Sequence, residues 1–176
     1  SSVARCADIF TVRRAPEDEE EIWKAVRGVA EEALVPFSAM RKAEGAHLKE
    51  DFLLRTAKIL ELVARVEERS PKTVDEYREK LTQRLRELLS DASIDEQRVL
   101  AEAAIYADKV SVTEETVRLR SHIRQFHSLL DSGGAVGRRL DFLVQEMNRE
   151  ANTIGSKCVD AEIAHLVVDM KAEIEK

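Results

Sequence analysis

The chain has 176 residues, of which 44% are hydrophobic, 35% charged and only 5% aromatic, with a formal net charge of −6. Glycine and proline together number nine, so long Glu/Lys/Arg/Leu runs go unbroken and the pattern excludes a sheet protein in favour of long helices with thin apolar seams. No stretch reaches the ~18 apolar residues of a membrane span and no signal-peptide order opens the chain, which predicts a soluble, cytoplasmic protein with no membrane partner; the acidic balance argues against a generic nucleic-acid binder.

In chain order, Ser1–Arg14 contains VARCADIFTV, a β-branched run that reads as a short strand or a tether. Pro16 and the carboxylates after it favour the positive end of a helix dipole. They predict a first helix from about Glu17 to Glu44, with a kink or break at Pro36 and an interruption at Gly45. Arg41 and Glu44 then form a salt-bridged helix end. A second helix runs from about Ala46 to Glu68, with Leu53, Ala57, Leu60 and Val63 on one side. SPKTVDEY predicts another break, with Ser70 as cap and Pro71 in a first turn. Val74, Tyr77, Leu81, Leu85 and Leu88 follow at spacings of 3 and 4.

A further helix covers about Ile94 to Asp108. Thr113 caps the next, whose seam is Leu119, Ile123, Phe126 and Leu130, and DSGG at 131–134 ends it. Gly137–Lys157 forms another helix. The last begins near Asp160, with Ile163, Leu166, Val167, Met170 and Ile174 inward. The predicted fold class is all-α: elongated antiparallel hairpins or a bundle with coiled-coil-like seams. Residues 1–14 form a tether, 15–111 a long-helix arm and 112–176 a helical domain.

Cys6 and Cys158 fit no metal spacing and read as free thiols of a reducing compartment. Charge is uneven. Residues 113–157 hold seven Lys/Arg against six Asp/Glu, a balance of +1, and the remainder carries −7. A nucleic acid is tolerated best around that one segment.

Within it, GRRLDFLVQEMNREANTIGSK is unusual. At 100° per residue Leu140, Leu143, Val144, Met147, Ala151 and Ile154 share an arc of about 100° and face a core. Almost opposite lie Arg139, Phe142, Glu146, Arg149, Glu150, Thr153 and Lys157, flanked by Arg138, Gln145 and Asn152. The plainer reading is a solvated face with Arg149 paired to Gln145 or Glu146. Asn and Thr, however, cost helix propensity and a solvated face needs neither. Glu146 and Glu150 are one turn apart, the spacing at which a helix offers two oxygen ligands to one Mg²⁺ or Mn²⁺. Arg149 between them offers a planar fork to phosphate.

Glu115, Arg118 and His122 also share a face, away from the Leu119/Phe126 seam. An imidazole beside a carboxylate serves as general acid, general base or metal ligand. The DSGG hairpin would bring this face near Arg138, Glu146 and Glu150. His47, His127 and His165 lack such partners and read as surface residues.

The MNREANT run, with MRKAEGAHL, SPKTVDEYREKL, DEQRVLAEAAIYADK and VTEETVRLRSHIRQF upstream in order, resembles the YicC/YloC family of bacterial endoribonucleases. The likeness covers nearly the whole chain. Ser111 stands ahead of the VTEE block, where the family often has Asp, and is left out of the site. The resemblance implies that this is the family's C-terminal helical portion, with its N-terminal domain and a terminal REQVQNIE-like motif absent. It further implies metal-dependent cleavage of RNA by a homo-oligomer, expected to be a ring-like hexamer, and a role in small-RNA turnover alongside other ribonucleases.

On this reading Glu146 and Glu150, with Glu115 or Asp141, hold Mn²⁺ or Mg²⁺. His122 transfers a proton, with Arg149 beside it in the catalytic group. Arg118, Arg138, Arg139, Arg149 and Lys157 hold phosphates, while Gln145, Asn152 and Thr153 also contact RNA, the two amides at the 2′-hydroxyl or base edges. The lack of aromatic platforms near the site points to backbone and shape recognition. A non-catalytic RNA-binding adaptor for another ribonuclease is the alternative. A purely structural oligomerisation module comes last, because it leaves the Asn/Thr face unexplained.

Overall fold

A computed structural model describes residues 18–89 and 95–176. The expectations for Ser1–Arg14, Cys6, Pro16 and the helix start at Ile94 lie outside them. Five helices follow in order: α1 (Glu19–Leu89), α2 (Glu96–Val110), α3 (Thr113–Ser132), α4 (Gly137–Lys157) and α5 (Ala161–Ile174). No strand occurs among the described residues, so the all-α class stands.

The three breaks expected before residue 90 do not form. α1 runs for 71 residues through Pro36, Gly45 and Ser70–Pro71. Each proline removes one backbone donor and crowds the preceding turn, but strong helix formers (Ala33, Leu34, Ala39, Met40, Lys42) surround Pro36. At Pro71 a side-chain clamp compensates. Arg69 donates to Glu76, two turns onward (Nη2–Oε2, 3.1 Å), and to Asp160 at the cap of α5 (2.7 Å), while Thr73 Oγ1 donates to the Ser70 carbonyl. With no helix end at Gly45, the expected Arg41–Glu44 cap is replaced by the Arg41 guanidinium, 5.8 Å from the Phe37 ring centroid.

The chain divides into two units, 1–47 and 48–176. In the first unit Asp18 caps α1, accepting from the Glu20 and Glu21 amides. In the second, α1 contributes a stripe of Thr56, Ile59, Leu62, Val63 and Val66, all buried. That stripe replaces the expected Leu53/Ala57/Leu60/Val63 seam: Leu53 is exposed, and Leu60 only borders the core.

α3 packs antiparallel on this part of α1, as the pairs Lys49–Asp131, Thr56–His127 and Glu67–Arg120 show. α5 also runs antiparallel to α1, through Arg55–Glu173 and Arg69–Asp160. With α4 these form a four-helix bundle. One core joins Ile59, Leu62, Val63 and Val66 to Leu119, Ile123, Phe126, Met147, Ala151, Ile154, Ile163 and Met170. α2 lies against the later turns of α1, with Tyr106 stacked on Tyr77 at 3.9 Å between centroids.

Of the helix ends read from sequence, the DSGG turn after α3 holds, while Ser70, the Arg41–Glu44 end and Thr113 do not cap a helix. Asp95 and Asp160 cap α2 and α5 by accepting amide hydrogens. Thr113 is instead the first residue of α3, and Val112 holds the cap position without a side-chain bond. Gly133 (φ 68°) and Gly134 (φ 81°) turn the chain from α3 to α4 in a conformation other residues resist. His127 is not a plain surface residue. Thr56 Oγ1 donates to the Phe52 carbonyl (2.7 Å) and leaves its lone pairs to His127 Nε2 (2.7 Å).

Two stability outcomes follow. Ile123 is 1% exposed at the centre of the bundle. Ile123→Ala should cost about 2–5 kcal/mol, read as a lower urea midpoint at unchanged m-value. The Arg69 guanidinium beside Asp160 holds its carboxyl below the usual carboxylate range. That contribution is complete above the unfolded pKa of about 4 and is lost as pH falls through the lower folded value. Unfolding midpoints measured across this window should drop less steeply for Asp160→Asn, which keeps the cap acceptor but lacks the titration.

Candidate functional site

The tight turn makes α3 and α4 an antiparallel hairpin, so residues whose numbers sum to about 270 face one another. His122 is thereby set opposite Glu146 and Glu150. One ligand atom from each of the three lies within 4.8 Å of the others, the one such group among the described residues. His122 Nε2 is 4.0 Å from Glu150 Oε1, and Arg118 Nη1 approaches the same oxygen at 3.9 Å. Arg118 also pairs with Glu114 on its own helix.

Glu150 does not lie on a solvated face. α3 covers that side of α4 and leaves its side chain only 6% exposed. Yet it forms no hydrogen bond among the described residues, its nearest cations standing at 3.9 and 4.0 Å. Burying a carboxylate is costly unless a partner compensates. Beside it, the Nδ1 atom of His122 is buried without a partner. One imidazole nitrogen and two carboxylates, arranged around a gap too wide for direct hydrogen bonds, form a donor set suited to a divalent cation with oxygen and nitrogen ligands.

The other expected residues divide by position. Glu115 does not join the cluster. Its Oε1 accepts from Lys157 Nζ at 2.7 Å, and Lys157 donates as well to the Ser111 carbonyl at 3.1 Å. Glu115 and Lys157 thus tie α3 to the end of α4, two turns beyond Glu150, while Glu115 Oε2 is buried without a partner. Asp141 is exposed and outside the cluster.

Arg138, Arg139 and Arg149 are exposed and form no ion pair among the described residues. Gln145, Arg149, Asn152 and Thr153 line a shallow depression of about 440 Å³ on the outer side of α4. There Asn152 donates to Asn148, and the Thr153 hydroxyl donates to the Arg149 carbonyl. This amide stripe lies beside the cluster, and Arg149 stands between the two.

Two family models match: "Endoribonuclease YicC-like, C-terminal" over residues 66–176 and "Endoribonuclease YicC-like, N-terminal region" over residues 1–50. The chain belongs to the YicC-like family. Because the second model covers residues 1–50, part of the YicC-like N-terminal region is present, contrary to the expectation that this region is absent. A Clostridioides difficile protein named "Probable endoribonuclease YicC" is 46% identical over 176 residues, 99% of this chain and 60% of the relative. A Haemophilus influenzae protein of the same name is 34% identical over 165 residues, 94% of this chain and 57% of the relative. The chain therefore spans about 60% of the length of these YicC relatives.

The unpartnered carboxylate in this YicC-like chain carries a measurable consequence. Replacing Glu150 by Gln should leave stability equal or raise it by about 1 kcal/mol, since a buried carboxylate that makes no hydrogen bond is replaced by a neutral group of similar shape. Added Mn²⁺ should raise the unfolding midpoint of the native chain by mass action and leave Glu150→Gln unmoved. Differential scanning fluorimetry with and without the metal reads both; equal shifts in the two proteins would remove Glu150 from the site.

Proposed function

We propose that the chain carries the metal-binding site of a divalent-metal-dependent endoribonuclease, with His122, Glu146 and Glu150 as ligands. The observation that carries this reading is the three-residue cluster around a buried carboxylate that lacks a hydrogen bond. Family membership and the relatives' names support RNA as the substrate class. His122, Glu146 and Glu150 would hold a Mn²⁺ or Mg²⁺ ion, which would supply positive charge against the negative charge developing on the phosphate oxygens during phosphodiester cleavage.

The residues divide the remaining work. Glu150 is fixed between two helices and keeps one oxygen turned toward His122 and Arg118. His122 presents Nε2 to the cluster while Nδ1 is buried, so a single nitrogen either binds a cation or exchanges a proton, and we assign it the ligand role. Arg118 orients Glu150, and its exposed guanidinium meets a phosphate at the cluster edge. Arg149 precedes Glu150 and offers a second, unpaired fork. Gln145, Asn152 and Thr153 flank the path of the RNA backbone, and Arg138 and Arg139 extend it toward the hairpin turn.

The proposal includes assembly as a homo-oligomer, with a hexamer as the expected order, cytoplasmic location, and action in small-RNA turnover beside other ribonucleases. Family resemblance alone supports these parts.

The test uses the full-length protein and an end-labelled structured RNA, with Mn²⁺ or Mg²⁺. Cleavage should vanish in EDTA and return with metal. Glu146→Gln and Glu150→Gln should each slow it by about 10²-fold or more, beyond the 10- to 100-fold typical of groups that only orient ligands. Cleavage that survives both EDTA and the substitutions would sink the metal role. RNA binding without cleavage in any metal would favour an adaptor that delivers RNA to another ribonuclease.

A further inference from the structure

One aromatic side chain does lie beside the cluster. Phe142 is 58% exposed on α4, an unfavourable place for an apolar ring unless something covers it. It lines a cleft of about 340 Å³ with Gln125 and Ser128 of α3 and with Arg138, Arg139 and Leu143 of α4. The position is fixed twice over. Phe142 is four residues before Glu146, so it sits about 6 Å along the helix and roughly 40° around it. Gln125 is three residues past His122, on the facing helix. Both helices therefore place the cleft one turn from the ligand cluster, toward the hairpin turn.

We propose that this cleft is a nucleobase subsite: an unpaired RNA base stacks on Phe142 while Arg138 and Arg139 hold the adjoining phosphates. The proposal rests on RNA being the substrate class. Three features select this occupant. The ring supplies a π-face, which any base accepts without regard to sequence. The two arginines carry positive charge without ion-pair partners among the described residues, which matches a phosphodiester backbone. The Gln125 amide nitrogen donates to Ser121 (3.4 Å), so its carbonyl oxygen stays available to a base amino group. A base inside a duplex has both faces stacked and is closed to the ring, so the subsite selects single-stranded or looped RNA next to the scissile bond. Recognition is then not limited to backbone and shape.

The experiment measures binding, not cleavage. Full-length protein in EDTA is titrated against a fluorescein-labelled single strand of about 12 nucleotides and against the same sequence as a duplex, by fluorescence anisotropy. Phe142→Ala should weaken single-strand binding by roughly 10-fold and leave duplex binding within about twofold, and Phe142→Trp should restore it. Arg138→Gln should weaken both RNAs alike and flatten the salt dependence. Unchanged single-strand affinity in Phe142→Ala, equal losses on strand and duplex, or no single-strand binding by the native protein would each overturn the subsite. These arms are separate from the nuclease reading. Should no metal support cleavage while Phe142→Ala still discriminates strand from duplex, the subsite stands and the nuclease fails. Should metal-dependent cleavage persist with Phe142→Ala binding normally, the reverse holds.

Discussion

Glu150 is the residue on which the site depends. A carboxylate 6% exposed, between two helices and without a hydrogen bond, is a configuration a stability-driven sequence would discard. The bundle holds it there because the neighbours on both sides are committed to the core: Met147, Ala151 and Ile154 along α4, Leu119 and Ile123 along α3. Glu150 sits at the edge of that contact, within ion-pair range of Arg118 and His122 at 3.9 and 4.0 Å but without a hydrogen bond to either. The gap so maintained has the donors of a cation site. A longer hairpin turn would relax the register and dissolve it, which is why Gly133 and Gly134, both at positive φ, belong to the site's construction.

The rigidity that this needs comes partly from α1. Its residues 48–69 pack antiparallel to both α3 and α5, and the ion pairs Glu67–Arg120, Lys49–Asp131 and Arg69–Asp160 fix the ends of that contact. The more exposed pairs, Lys49–Asp131 and Glu67–Arg120, contribute little to stability and serve to set the register, whereas Arg69–Asp160 is largely buried. Arg69 has a further part. Its bond to Glu76 spans Pro71 and its bond to Asp160 reaches the cap of α5. One side chain thus offsets a proline in α1 and anchors the start of the last helix.

Most of the bundle was legible because its core faces repeat at helical spacing. Leu119, Ile123 and Phe126, and likewise Ile163, Leu166, Val167, Met170 and Ile174, are buried as the periodicity requires. α1 was not legible in the same way. Local rules end helices at Pro36, Gly45 and Pro71, and only tertiary contacts such as Arg69–Glu76–Asp160 overrule them at Pro71. The site was half legible. The spacings 146/150 and 118/122 place side chains on one face of each helix, but the angle at which α3 meets α4 is absent from either spacing. That angle put Glu115 onto Lys157 instead of the cluster and buried Glu150, just as the packing of α1 on α3 brought Thr56 within reach of His127.

It also changes what the polar composition of α4 means. The outer stripe of Asn148, Asn152, Thr153 and Ser156 satisfies part of its own hydrogen bonding: Asn152 donates to Asn148, while Thr153 and Ser156 donate to carbonyls of their own helix. The groups proposed for the chemistry run along the side toward α3, from Phe142 through Glu146 to Glu150, two carboxylates and a ring within about 80° of arc. A helix wheel drawn from sequence assigns these three to the solvent side together with Arg149. The neighbouring helix divides them: Glu150 is buried against α3, Glu146 is half-buried, and Phe142 and Arg149 stay exposed.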